Sequence, residues 1–111
     1  LFGEYEQALV AAQTAVALNI DLAVAWQTQG AAFSALEDFA AAKHSYEQAL
    51  MRDEENADAW ASLGVVQLKL DEFDAGMASL QRALQLNPDQ ALAQQALQLV
   101  EEQLQAAESG E

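Results

Sequence analysis

Apolar positions recur along this chain at helical spacing, and the pattern breaks at short intervals where turn residues gather. Trp60, Leu63, Gly64 and Gln67 follow 3-1-3 steps down one stripe. Phe73, Gly76, Met77, Leu80, Ala83 and Leu84 follow 3-1-3-3-1 steps down another, so each segment reads as an amphipathic helix. Asn87-Pro88 stops a helix, because proline has no N–H and clashes with the preceding turn, and Asn56 or Asp89 is placed to cap the next. The pattern predicts helices over 3–18, 23–35, 39–52, 57–69, 73–86 and 90–107, with a frayed tail at 108–111. The fold class is all-α.

A period of 34 residues organises these helices in pairs. At that offset Trp26 falls on Trp60, Gly30 on Gly64 and Leu36 on Leu70. Tyr5 meets Phe39 and Phe73, Ala15 meets Ala49 and Ala83, and Val16 meets Leu50 and Leu84. The turn acids Glu4, Asp38 and Glu72 recur as well. Gly30, Gly64, Ala42 and Gly76 lie mid-helix, where glycine costs about 1 kcal/mol relative to alanine. Close helix contact explains them, with Trp26 or Tyr46 approaching the bare backbone.

These residues resemble the tetratricopeptide repeat, a 34-residue helix-turn-helix of the form W-x2-L-G-x2-Y, A-x3-F, P. Residues 57–90 carry Trp60-x2-Leu63-Gly64, Phe73, Gly76-x3-Leu80, Ala83 and Pro88. Residues 23–56 keep Trp26, Gly30, Phe33, Phe39, Ala42, Tyr46 and Ala49, but Gln29 stands for the usual Leu and Glu54 for the terminal Pro. Residues 1–22 look like the second helix of a partial repeat, with Ala12 where a ring is expected. Residues 91–107 lack the Trp and Gly markers and carry Gln and Glu round most of the circumference, as a solvating capping helix would. The chain 1–111 is thus expected to be one domain. The resemblance implies an α-solenoid of antiparallel helix pairs winding as a right-handed superhelix, whose concave groove, lined by first helices, binds peptides or helices of partner proteins.

Composition narrows the choice of partner. In 111 residues, 18 acids face 4 bases, for a formal charge of −14, and Lys43, Arg52, Lys69 and Arg82 are scattered. Nucleic acid and anionic membrane both need clustered cations, so neither is an expected partner. No apolar run approaches the length of about 18 needed to span a bilayer, and the opening segment lacks the basic n-region of a signal peptide. The chain opens on Leu1 rather than Met, which leaves room for a segment upstream. With no cysteine there is no thiol chemistry, and no calcium-loop, phosphate-loop or Ser-His-acid pattern accompanies the single histidine, His44. No enzyme, metal or cofactor is expected. Trp26 and Trp60, recurring at the repeat period, read as core, and the turn acids read as helix-dipole partners.

If the Trp and Gly stripe faces the partner helix, a second stripe is left for the concave side: Val24, Gln27, Ala31 and Ser34 in one unit, Asp58, Ala61, Val65, Leu68 and Lys69 in the next. Some members of the family grip a terminal carboxylate with Lys and Asn where this chain has Gln27, Ala31, Ala61 and Val65. An apolar or basic segment is therefore the expected ligand rather than an acidic tail. The alternative is a structural or self-associating module that forms a homo-oligomer through its first helix, where Tyr5, Ala8, Leu9, Ala12 and Val16 lack the helix that would precede them.

Overall fold

The computed structural model describes residues 2–18 and 22–110, apart from the Phe2 side chain. Six helices follow one another: α1 (Phe2–Leu18), α2 (Ala23–Ala35), α3 (Phe39–Arg52), α4 (Ala57–Lys69), α5 (Phe73–Leu86) and α6 (Ala91–Ser109). No strand occurs among the described residues. Glu108 and Ser109, expected to fray, belong to α6.

Local chemistry sets the helix ends. Asn56 Oδ1 accepts the Ala59 N–H at 3.1 Å and Gln90 Oε1 accepts the Ala93 N–H at 2.7 Å, so Gln90 rather than Asp89 opens the last helix. Asp38 Oδ1 accepts the Ala41 N–H at 3.3 Å. Helices α2 and α4 end alike: Glu37 and Asp71 both take φ of 62°, in the left-handed region that favours glycine. The Asp38 N–H reaches the Phe33 carbonyl at 2.9 Å and the Glu37 N–H reaches Ser34 at 3.0 Å, with the same pair of bonds at Glu72 and Asp71 onto Gln67 and Leu68. These are Schellman stops, which use up the last free carbonyls of the helix.

The turn acids are not a uniform set of dipole partners. Glu72 precedes α5 without a side-chain cap, because Lys43 Nζ donates to both its oxygens at 2.8 and 2.9 Å. Asp53 lies at the C-terminal, negative end of α3.

Packing proceeds from neighbour to neighbour. A first cluster joins Val16, Ala25, Trp26 and Ala49. A second holds Ala42, Tyr46, Leu50, Ala59, Leu63 and Val66, and a third holds Ala61, Leu80, Ala83, Ala93 and Ala96, with Trp60 against both. A Cβ on Gly30 would stand 2.9 Å from the Tyr46 ring, and one on Gly64 would stand 2.7 Å from Leu80. The mid-helix glycines are thus contact points at equivalent places in the two units. Trp60 Nε1 donates to the Glu54 carbonyl at 2.8 Å, while Trp26 lies under the Arg52 guanidinium at 5.1 Å and edge-on to the exposed His44.

Two polar pairs are buried in this apolar seam. Gln29 Nε2 donates to Ser45 Oγ at 2.9 Å, which accounts for a glutamine where leucine is usual. Ser79 Oγ donates to Gln67 Oε1 at 2.6 Å. The serines are one period apart, and each is met by a glutamine on the first helix of its own pair. The radius of gyration is 14.8 Å, against about 13 Å for a compact chain of this length, and the molecule measures 53 × 30 × 21 Å.

Candidate binding groove

Helices α2, α4 and α6 begin at equivalent places in successive periods, and amide caps join them. The Asn56 Nδ2 that is not needed for capping donates to Gln27 Oε1 on α2 at 2.8 Å. Gln90, 34 residues on, repeats the device: its Nε2 donates to Asp58 Oδ1 on α4 at 3.0 Å. Gln27 and Asp58, both predicted groove residues, therefore also fasten one unit to the next.

The other predicted groove residues divide. On α2, Val24 is 63% exposed, Ala31 is exposed and Ser34 is half-buried. On α4, Lys69 is exposed, and Val65 and Leu68 are half-buried. Ala61 is 0% exposed and belongs to the core with Ala93 and Ala96 of α6. It is no lining residue, because the last helix lies over it.

That covering leaves a concavity beside it. A cleft of about 370 Å³ separates α4 from α6. Val65, Leu68 and Lys69 form one wall, Phe73 of α5 stands at its edge, and Leu92, Gln95, Ala96, Leu99, Val100 and Gln103 of α6 form the other wall. Phe73 and Leu99 are each 59% exposed. The sequence reading named none of these α6 residues, although the 34-residue offset, carried one unit further, holds a signal for them: it puts Leu92 on Asp58, Gln95 on Ala61 and Leu99 on Val65. The expected polar cap is thus polar on only part of its surface, since Leu92, Leu99 and Leu104 are exposed.

The cleft offers hydrophobic contact, two amides and one ammonium, that of Lys69. The helix behind it carries Glu101, Glu102 and Glu108, all exposed, and no Lys or Arg. No group of His, Cys, Asp or Glu among the described residues could hold a metal ion. Among the described residues no helix is long and apolar enough to cross a membrane.

At the other end, α2 covers part of the first helix. Ala12 and Val16, predicted for self-association, are buried, so that surface is smaller than expected. Tyr5 and Ala8 remain exposed and Leu9 half-buried.

Residues 28–91 match a family model described as tetratricopeptide repeat. No curated protein sequence matches the chain significantly. Among solved structures, the Arabidopsis OM64 TPR domain superposes with a TM-score of 0.86 at 24% identity, over 91% of this chain and 84% of that one. The first TPR of Spaghetti (RPAP3), bound to the HSP90 peptide SRMEEVD, gives 0.86 at 20% identity, over 92% and 81%. The second TPR domain of human RPAP3, in complex with the HSP70 peptide SGPTIEEVD, gives 0.83 at 20% identity, over 89% and 82%. The likeness to these structures is one of fold.

Proposed function

Because the chain belongs to the tetratricopeptide repeat family, we propose that it is a non-catalytic protein-interaction module that takes an apolar or basic segment of a partner protein into its concave groove. The observation that carries this reading is the apolar cleft between α4 and α6, with Val65 and Leu68 on one wall and Leu92 and Leu99 on the other. Uncovered, adjacent apolar side chains in a concavity are where a partner gains most from burial. Peptides ending in EEVD occupy two of the similar folds. Here the surface is acidic and Lys69 is the only cation in the cleft, which disfavours an acidic tail.

Panning a displayed random-peptide library against the wild-type chain and the Leu99→Gln variant tests the proposal. Enrichment of apolar and basic peptides that lose about tenfold in affinity on the variant is expected. Enrichment of acidic peptides, or equal binding to both proteins, would refute it. The exposed Tyr5 and Ala8, with Val10 also uncovered on α1, support the second reading, a homo-oligomer formed through the first helix. A mass that doubles with concentration, and reverts on Val10→Ser, would favour that reading.

A further inference from the structure

We propose that α6 is a lid on the groove with two positions: the one described, tipped onto α4, and one in register with the preceding units, which a partner segment in the groove selects. The partner's role rests on the groove reading above, whereas the movement stands apart from it.

The internal repeat supplies the comparison. Helices α4 and α6 open successive periods, so regular stacking would set α6 on α4 and α5 as α4 is set on α2 and α3. Instead α6 lies more closely on α4 than α4 does on α2, and less on α5 than α4 does on α3. Small side chains permit the tilt. Ala61 of α4 is 0% exposed, in one cluster with Ala93 and Ala96 of α6. One period earlier Gln27, Ala59 and Ser62 stand at those three places, and Gln27 takes the Asn56 amide. The longer side chain keeps α4 from approaching α2 in the same way.

The tilt leaves apolar surface uncovered elsewhere. Phe39 and Leu70 are half-buried and both pack on the core cluster of their unit. Their equivalents 34 residues on, Phe73 and Leu104, are each 59% exposed. In register, α6 would bring Phe73 and Leu104 into the packing that Phe39 and Leu70 have, and would release Ala61. Each position thus buries apolar surface that the other leaves in water, which is what two states of similar free energy require.

The joint tolerates both inclinations. Gln90 caps α6 through Ala93 and donates to Asp58 on α4, as Asn56 caps α4 and donates to Gln27 on α2. The same amide clasp therefore carries a helix in register at Asn56 and a tipped one at Gln90. Only the first turns of α6 are anchored: Ala93 and Ala96 are its buried residues, and every described residue from Glu101 onward is exposed. Rotation about the Gln90 joint moves that free half most. Tipped, α6 shuts the groove at Ala61; in register, the stripe of first helices runs open past it. A segment that lies along that stripe binds the second position better and draws α6 into it.

The chain has no cysteine, so spin labels report engineered sites alone. A pair at Asp74→Cys and Gln103→Cys spans α5 and α6, and a reference pair at Ala40→Cys and Lys69→Cys spans α3 and α4 at equivalent places, all four positions being exposed. Pulsed dipolar spectroscopy on the intact chain should give one distance for the reference pair. The test pair should give two, one matching the reference and one longer. Ala61→Gln restores the spacer of the earlier unit and should move the population to the reference distance. Leu104→Gln, at an exposed site that leaves the buried contacts whole, should move it to the longer one. A single test distance without these substitutions, or two that Leu104→Gln does not shift, would overturn the proposal. The tightest peptide from the panning above, once shown to bind the labelled chain, should act as Ala61→Gln does. A peptide that binds and leaves both distances as they were refutes the lid while the groove reading stands. If panning finds no ligand and the two distances still respond to the substitutions, the groove reading falls, and with it the partner's role, while the movement stands.

Discussion

Gly30 and Glu37 show how two residues of one unit respond oppositely to the same intuition about helices. Alanine normally gains about 1 kcal/mol over glycine inside a helix. At Gly30 the added methyl would meet the Tyr46 ring at 2.9 Å, so Gly30→Ala should instead cost about 1–3 kcal/mol, seen as a lower thermal midpoint. Glu37 holds a left-handed conformation that charges any side chain for its Cβ, and Glu37→Gly should add about 0.5–1 kcal/mol in urea titration. Tyr46 supplies a pH dependence. Burial raises its hydroxyl pKa above the ordinary 10.0, partly offset by a hydrogen bond with Ser62. The folded state thus holds that proton more tightly than the unfolded one, and stability, full below pH 10, should fall as pH climbs through the folded value. The raised pKa of Lys43, held by its bond to Glu72, acts in the same direction above 10.5. Tyr46→Phe should flatten the alkaline part of a denaturation-midpoint profile, and an unchanged slope would point to Lys43 alone.

The helices themselves were readable from sequence because their boundaries are written in short-range chemistry. Asn56, Asp38 and Pro88 mark ends that depend on nothing distant. The glycine contacts between paired helices were readable too, as Tyr46 against Gly30 shows, but how the last helix lies over α4 was not. Ala61 and Ala31 both fall on the predicted groove stripe, yet Ala61 is buried against Ala93 and Ala96 of α6 while Ala31 is exposed. In the same way the many glutamines of the last helix obscured its leucines, whose exposure depends on how that helix lies. Asn56 joins the two kinds of information, capping α4 with one atom and bonding to α2 with the other. Asn56→Ala should lose both functions, about 1–2 kcal/mol in total. Asn56→Asp keeps the capping oxygen but cannot donate to Gln27, so its stability should fall between wild type and Ala in paired denaturant titrations. Equal loss in the two variants would mean that the cap contributes nothing.

Over the whole molecule, a charge of −14 spread along a 53 Å body should make the native state sensitive to ionic strength. Self-repulsion is screened within about 10 Å at 0.1 M salt, so the melting temperature should climb from low to moderate salt. A flat curve would show that the turn acids are already neutralised by local contacts such as Lys43–Glu72. The two amide clasps, Asn56 to Gln27 and Gln90 to Asp58, have a consequence for engineering, because they are one fitting used twice. A duplicate of residues 57–90 spliced in after Gln90 would find a matching joint on both sides. The molecule can then be lengthened like a ruler, one graduation at a time, without redesigning either end.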